Sequence, residues 1–238
     1  MKEKPNKKTV LLFSGGMDSY LAYRLYHPDV LLYCAARHRY MDREHRAVLE
    51  LGLGLQVVVD RTLDLSTWER PEDAQVPLRN LLFAAVGSRY GDTVWLASLR
   101  GEQSWDKTAE FEEKASDVFS YCYSSSYWCE GREVVVQSPV FGFTKASLLA
   151  TAVAVAGVTR EEVGRTVSCY APGGFCGACS SCFKRACATV LNGWLEEYQQ
   201  DPFDSACGWG YQQKARAGKY PDYRAAEIER AFALRRPL

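Results

Sequence analysis

Apolar positions along the chain fall into short runs separated by amphipathic stretches. Residues 9–13 form a partly β-branched apolar run that stops at Ser14-Gly15-Gly16, and Tyr20, Leu21, Tyr23, Arg24 and Leu25 then follow a helical pattern. The same rhythm repeats, with strands expected at 30–34, 56–59 (ending at Asp60), 93–98 and 133–137, and helices at 43–53, 78–90 and 108–119. A strong helix is expected over 145–155 and a short one over 159–165, after which a cysteine-rich segment, 169–187, breaks the alternation. Beyond it the pattern places 194–198 on a helix, a Gly/Pro-broken stretch at 201–218 and a last helix at 222–234. Alternation of this kind predicts an α/β fold, a doubly wound, mostly parallel sheet of Rossmann-like type, with a small helical region carrying four cysteines at its C-terminal side. The expected division is a nucleotide-binding α/β domain over 1–160 and a helical region over 161–238, with a metal knuckle at 169–182.

Composition narrows the function classes. The 238 residues are long enough to bury a substantial core. Lys+Arg and Asp+Glu each number 29, so no global positive field favours long nucleic acid, and a small anionic substrate fits better. The apolar run 10–13 is too short for a signal-peptide core, and no stretch approaches the roughly 20 apolar residues that cross a bilayer. A cytoplasmic protein without a membrane partner is expected. Among nine cysteines, four lie at short spacing, which in a reducing compartment reads as a metal site rather than disulfides.

Ser14-Gly15-Gly16-Met17-Asp18-Ser19 sits between an expected strand and an expected helix. Glycines there remove Cβ atoms where an anion must approach, and the helix N-terminus offers free N–H groups to phosphate. The segment lacks both the Gly-Lys-Ser/Thr ending of a Walker loop and the third glycine of a dinucleotide fingerprint. Asp18 beside a polyphosphate makes sense with Mg2+ between them, while Ser14 and Ser19 can donate hydroxyls to phosphate oxygens. The plainer alternative is a glycine-rich turn whose aspartate caps a helix.

Cys169, Cys176, Cys179 and Cys182 form C-x6-C-x2-C-x2-C on a Gly-rich segment, a pattern suited to tetrahedral Zn2+. With four sulfur ligands and no position left for water, that zinc would be structural. An iron–sulfur cluster is the competing reading, because spacing alone does not separate the two. Cys187 reads as a packed small residue.

Several motifs together resemble the 7-cyano-7-deazaguanine synthase family of the adenine nucleotide α-hydrolase (PP-loop) superfamily. The resemblance rests on the Ser14–Ser19 loop, Val76-Pro77-Leu78-Arg79-Asn80, Asp106 with Phe111, Ser138-Pro139-Val140 with Thr144-Lys145, Ser168-Cys169-Tyr170, Cys176-Gly177-Ala178-Cys179-Ser180-Ser181-Cys182 and Arg185-Ala186, over about residues 9–188. It implies an enzyme that uses ATP and ammonia to convert the carboxylate of 7-carboxy-7-deazaguanine to a nitrile through an amide. By the same resemblance, Ser14, Gly15, Gly16, Asp18 and Ser19 hold ATP and Mg2+; Asp18, Arg79 and Lys145 serve the chemistry; Asn80, Asp106 and Tyr40 hold the deazaguanine; and the protein is a homodimer. Plainer roles stand beside these: a capping pair for Arg79 and Asn80, a helix N-cap before Thr108 for Asp106, and a surface lysine for Lys145.

The chain departs from the family pattern at Arg39-Tyr40-Met41-Asp42-Arg43-Glu44-His45, where a Gly-Gln pair is missing, at Leu99-Arg100-Gly101-Glu102-Gln103, in a shorter first cysteine spacing, and in about fifty extra C-terminal residues. A variant that delivers the activated carboxylate to another acceptor, such as a protein amine, is therefore a second expectation. Two further classes are a tRNA-thiolation enzyme with the same loop and a non-catalytic, zinc-stabilised nucleic-acid-binding module. The compact cysteine knuckle leaves no evident pair for persulfide transfer, and neutral net charge with an intact loop argues against the module.

Overall fold

The computed structural model describes residues 7–37, 41–51, 57–72, 75–102, 104–127 and 130–235. It divides into two compact units, Met1–Phe141 and Gly142–Leu238.

In the first unit, β1 (Thr9–Leu12), β2 (Val30–Cys34), β3 (Val57–Asp60), β4 (Thr93–Trp95) and β5 (Val135–Gln137) form one sheet in the order β3-β2-β1-β4-β5. Every pairing is parallel, with Val10 opposite Val30 on one side of β1 and Val94 on the other. Val10 and Leu11 point to opposite faces of the sheet and both are fully buried, so helices must cover both faces. They do. Phe13 meets Tyr23 of α1 (Met17–Tyr26) edge to face, and Tyr33 stacks on His45 of α2 (Met41–Leu51). On the other face, α3 (Arg79–Gly87) packs its Val86 with Val10, Leu32 and Cys34, and its Ala84 joins Val94, Val136 and the Ala115 and Phe119 side chains of α4 (Ala109–Cys122). The right-handed crossover that parallel strands require explains this arrangement. The chain leaves β1 toward β2 and β3 along one face, then crosses back over β2 and β1 through α3 on the other.

The second unit consists of α5 (Lys145–Ala156), α6 (Arg160–Gly164), α7 (Ser180–Leu191), α8 (Ala206–Arg216) and α9 (Asp222–Leu234). Capping boxes at Thr144/Ser147 and Thr159/Glu162 start the first two. Phe183 of α7 lies at the centre of an aromatic core, stacked on Tyr211 at 4.8 Å and edge-on to Phe203 at 5.6 Å, with Ala215, Ile228 and Ala231 around it. Among the described residues no helix is long and apolar enough to cross a membrane.

Two expectations for the C-terminal region are corrected. Residues 194–198 are not helical, and α8 runs through the stretch expected to be broken by glycine. Gly208 is there for contact: a Cβ at this position would collide with the Pro202 carbonyl, so the glycine lets α8 pack against the preceding turn. Buried Ser205 caps the same helix by accepting from the Gly208 amide at 3.0 Å.

The loop leaving β1 is held by α2. Gly15 has φ +70°, and a Cβ there would stand 3.1 Å from both the Ala47 Cβ and the Val48 amide nitrogen. Gly15→Ala is expected to lower the melting temperature by about 2–8 °C, from roughly 1–2 kcal/mol of left-handed strain at ~2–4 °C per kcal/mol. An unchanged melting curve would show that α2 does not clamp this loop.

Candidate active site and metal centre

β1 and β4 are hydrogen-bonded neighbours, yet the chain leaves them in opposite directions, so the loops beyond their carboxyl ends diverge and open a crevice. The Ser14–Ser19 loop leaves β1 at that switch point. Gly16 is the N-cap of α1 and has no side chain to cap it, so the first-turn amides keep their anion-binding character. Ser19 Oγ donates to the Gly16 carbonyl at 3.0 Å, Ser14 Oγ accepts from the Gly16 amide at 3.4 Å, and the two hydroxyls lie 3.5 Å apart. Asp18 stands half-buried in the first helical turn. Two hydroxyls, an uncapped helix terminus and a carboxylate thus share one short loop, a donor set suited to a polyphosphate with its cation.

α3 runs antiparallel to the strands, so its first residues, Arg79 and Asn80, also reach the carboxyl edge. There Asn80 Nδ2 donates to the Asp106 carbonyl at 3.0 Å, tying α3 to the 3-10 turn Trp105–Lys107 that follows β4. The Asp106 carboxylate accepts from Ser104 Oγ. Asp106 does not cap α4; Thr108 does, accepting from the Phe111 amide at 3.1 Å. Tyr40 lies outside the described residues. Lys145 opens α5 in the second unit.

Not every polar group at this edge is open to a ligand. Asp60, at the end of β3, accepts from the Thr62 amide (2.8 Å) and hydroxyl (2.5 Å), from the Tyr90 hydroxyl (2.6 Å) and from Arg89 (3.3 Å). Burial acts to raise its carboxyl, but these donors outweigh it and hold it below the usual carboxylate range. Asp60 therefore serves the fold. Ser138 Oγ donates to the Ser98 carbonyl at 2.9 Å and the Ser138 amide donates to Glu112 Oε2 at 3.1 Å, joining the ends of β4 and β5 to α4. Glu112 was not singled out from the sequence, where it reads as one more acidic residue on an amphipathic helix. Here burial pushes its carboxyl up, and its Oε1 has no partner among the described residues.

In the second unit the Cys169, Cys176, Cys179 and Cys182 sulfurs all lie within 4.8 Å of one another. Cys176 to Cys182 and Cys179 to Cys169 are each 3.9 Å, close to the ~3.8 Å edge that a tetrahedral ion with sulfur at about 2.3 Å imposes. An iron–sulfur cube, whose thiolates bind different irons, needs its sulfurs further apart, so this spacing suits one four-coordinate ion. Amides of Ala171 and Cys176 donate to the Cys169 sulfur, that of Ala178 to Cys176 and that of Cys182 to Cys179, at 3.3–3.5 Å. Burial acts to raise the Cys176 thiol, yet the Ala178 amide and neighbouring thiols outweigh it and bring it down to about 7, while burial pushes Cys179 and Cys182 up. Four crowded thiols of this kind ionise together only around a cation.

The knuckle is fixed from beneath by Arg185, whose side chain is 0% exposed. Its guanidinium forms a fork with Glu196 (2.8 and 2.7 Å), donates to the Val163 carbonyl (2.6 Å), to Thr166 Oγ1 (2.8 Å) and to Ser168 Oγ (3.1 Å), and lies 4.2 Å from the Phe175 ring centre. Ser168 and Phe175 immediately precede Cys169 and Cys176, so one cation positions both approaches to the metal. Gln199 adds two bonds to the same loop, from its amide to the Phe175 carbonyl (2.9 Å) and from its side chain to the Pro172 carbonyl (2.8 Å). At Gly177, φ +74°, a Cβ would collide with the Gln200 carbonyl.

The five-stranded parallel sheet, with a Ser-Gly-Gly loop at its switch point and a four-cysteine metal-binding cluster after it, defines a protein of the PP-loop, adenine-nucleotide α-hydrolase-like class. The family model described as queuosine biosynthesis protein QueC matches residues 55–193, more than half of the chain, and the chain belongs to that family. It is 24% identical to 7-cyano-7-deazaguanine synthase 2 of Desulfitobacterium hafniense over 83% of this chain and 93% of that protein. It is 27% identical to 7-cyano-7-deazaguanine synthase of Magnetococcus marinus, over 81% of this chain and 94% of that protein. To 7-cyano-7-deazaguanine synthase of Sulfolobus acidocaldarius it is 26% identical, over 81% of this chain and 48% of that protein. The family match includes Arg79, Asn80, Asp106, Lys145 and all four cysteines; the Ser14–Ser19 loop lies before it.

Elemental analysis of the purified protein is expected to give one zinc per chain. Glu196→Ala, which leaves the Arg185 guanidinium buried without its carboxylate, is expected to cost about 3–5 kcal/mol of stability and to speed zinc loss to a chelator. Unchanged stability and zinc retention in that variant would show that Arg185 does not hold the knuckle.

Proposed function

We propose that this chain adenylylates the carboxylate of 7-carboxy-7-deazaguanine with ATP and carries it, with ammonia, through the amide to 7-cyano-7-deazaguanine. The observation that carries this reading is the Ser14–Ser19 loop at the switch point of a QueC-family sheet. A carboxylate is a poor electrophile because its oxygens leave badly. Transfer of AMP to one oxygen, with release of pyrophosphate, makes that oxygen part of a good leaving group; ammonia then displaces AMP and leaves an amide. A second ATP activates the amide oxygen in the same way, and loss of AMP with a proton gives the nitrile.

In this reading the Ser14 and Ser19 hydroxyls and the first-turn amides of α1 bind the pyrophosphate portion of ATP. Asp18 would hold Mg2+, which supplies charge neutralisation at the phosphates. The Arg79 guanidinium is a fork suited to the substrate carboxylate or a phosphate, and the resemblance assigns Lys145 to the same phosphates. Asn80 and Asp106, bonded to each other through the Asp106 carbonyl, form a polar corner for the guanine-like edge. The cysteine cluster would hold zinc as a structural ion, because all its ligand positions are filled by sulfur.

A second reading keeps the first activation but delivers the acyl group to another amine, and the departure from the family pattern at Arg39–His45 supports it. Incubating the protein with 7-carboxy-7-deazaguanine, ATP, Mg2+ and ammonium and reading the product mass separates the two. The nitrile is expected; an amide as end product favours the second reading, and an unaltered carboxylate in every condition contradicts both.

A further inference from the structure

Trp105 is 86% exposed, although burying an indole stabilises a fold by well over a kcal/mol. It is not on a loose segment. The turn that carries it is held by Asn80 Nδ2 on the Asp106 carbonyl at 3.0 Å, by the Thr108 hydroxyl on the Trp105 carbonyl at 3.1 Å, and by a 2.8 Å ion pair between Lys107 and Glu102. Among the described residues the most exposed tyrosines, Tyr121 and Tyr127, lie at or beyond the far end of α4, whereas Trp105 stands at the carboxyl edge, before α4 begins.

A second anomaly occupies the same corner. Leu78, directly before Arg79, adopts a left-handed backbone with φ 60° and leaves its side chain 57% exposed. A leucine in that region is strained, and strain that persists in an otherwise regular fold tends to mark binding sites. α3 starts at this residue and packs on the Trp105 turn. An exposed indole, a strained exposed leucine, a guanidinium and a side-chain amide are therefore carried by two adjoining segments, the start of α3 and the turn packed against it, at the carboxyl edge.

We infer that Trp105 is a specificity-determining residue whose indole face stacks on the flat bicyclic base of the substrate, with the Leu78 side chain contributing apolar surface beside it. This rests on the proposed deazaguanine carboxylate chemistry for the substrate's identity but not for the stacking itself, since any purine-like base offers the same π face. Stacking favours the planar base over a non-aromatic carboxylate and leaves the polar edge to Asn80 and Asp106.

The test uses Trp105→Ala and Trp105→Phe in the full chain, with two readouts. One is binding of 7-carboxy-7-deazaguanine, and of guanine as comparison, by equilibrium dialysis. The other is KM for the base and for ATP from pyrophosphate release. Trp105→Ala is expected to weaken base binding and raise the KM for the base by roughly ten- to a hundredfold, leave the KM for ATP within about twofold, and be partly rescued by Trp105→Phe. Melting temperature should not change, because the side chain is exposed. If the wild type binds the base through Trp105 yet releases no pyrophosphate, the adenylylation reading falls and the stacking role stands. Turnover unaffected by Trp105→Ala overturns the stacking role and leaves the adenylylation reading intact. A wild type that binds neither base overturns both, and Trp105→Ala raising both KM values equally overturns the stacking role alone.

Discussion

Parallel pairing of β1 with both β2 and β4 is the constraint on which the first unit depends. A central parallel strand exposes no edge and needs cover on both faces, so each neighbour must be reached by a crossover helix. The chain leaves β1 and β4 in opposite directions along the sheet, and the loops after them are forced apart at the carboxyl edge. Gly15, pressed against α2, then turns the chain so that Ser14 and the start of α1 lie at the carboxyl edge, with the buried Ser19 hydroxyl 3.5 Å from that of Ser14. Sheet topology thus chooses the place, and a few small residues supply the hydroxyls and uncapped amides on which the proposed phosphate site rests.

Arg185 plays a corresponding part in the second unit. A guanidinium with no exposed side-chain surface is tolerated only when its donors are satisfied, and here they reach Glu196, Val163, Thr166 and Ser168. Because its partners adjoin Cys169 and Cys176, the requirement to satisfy one buried charge also orders the ligand loops. A bound ion and the ion pair would reinforce one another: the ion would gather the four sulfurs, and Arg185 with Gln199 fixes the backbone that presents them.

Much of this was legible in the sequence because it is local. The β-branched runs gave β1, β2 and β3 nearly to the residue, α9 matched its periodic pattern, and the four cysteines meet as their spacing implied. What was not legible depends on distant partners. Residues 194–198 have helical composition but are drawn out of a helix by Glu196 pairing with Arg185, a contact no local pattern encodes. Gly208 looked like a breaker and is a packing contact. Asp60 sits where a ligand group would be expected, yet its oxygens are taken by Thr62, Tyr90 and Arg89. Trp105, an ordinary hydrophobic position by composition, becomes distinctive only once its exposure is known.

The central claim is that a substrate carboxylate oxygen attacks the α-phosphate of ATP. Oxygen-18 placed in the carboxylate of 7-carboxy-7-deazaguanine tests it most directly, with the released AMP examined by mass spectrometry after turnover with ATP, Mg2+ and ammonium. The account predicts that the label appears in AMP and that pyrophosphate is unlabelled. Label in inorganic phosphate, with ADP as the nucleotide product, would contradict it by showing that the γ-phosphate, not the adenylyl group, is transferred.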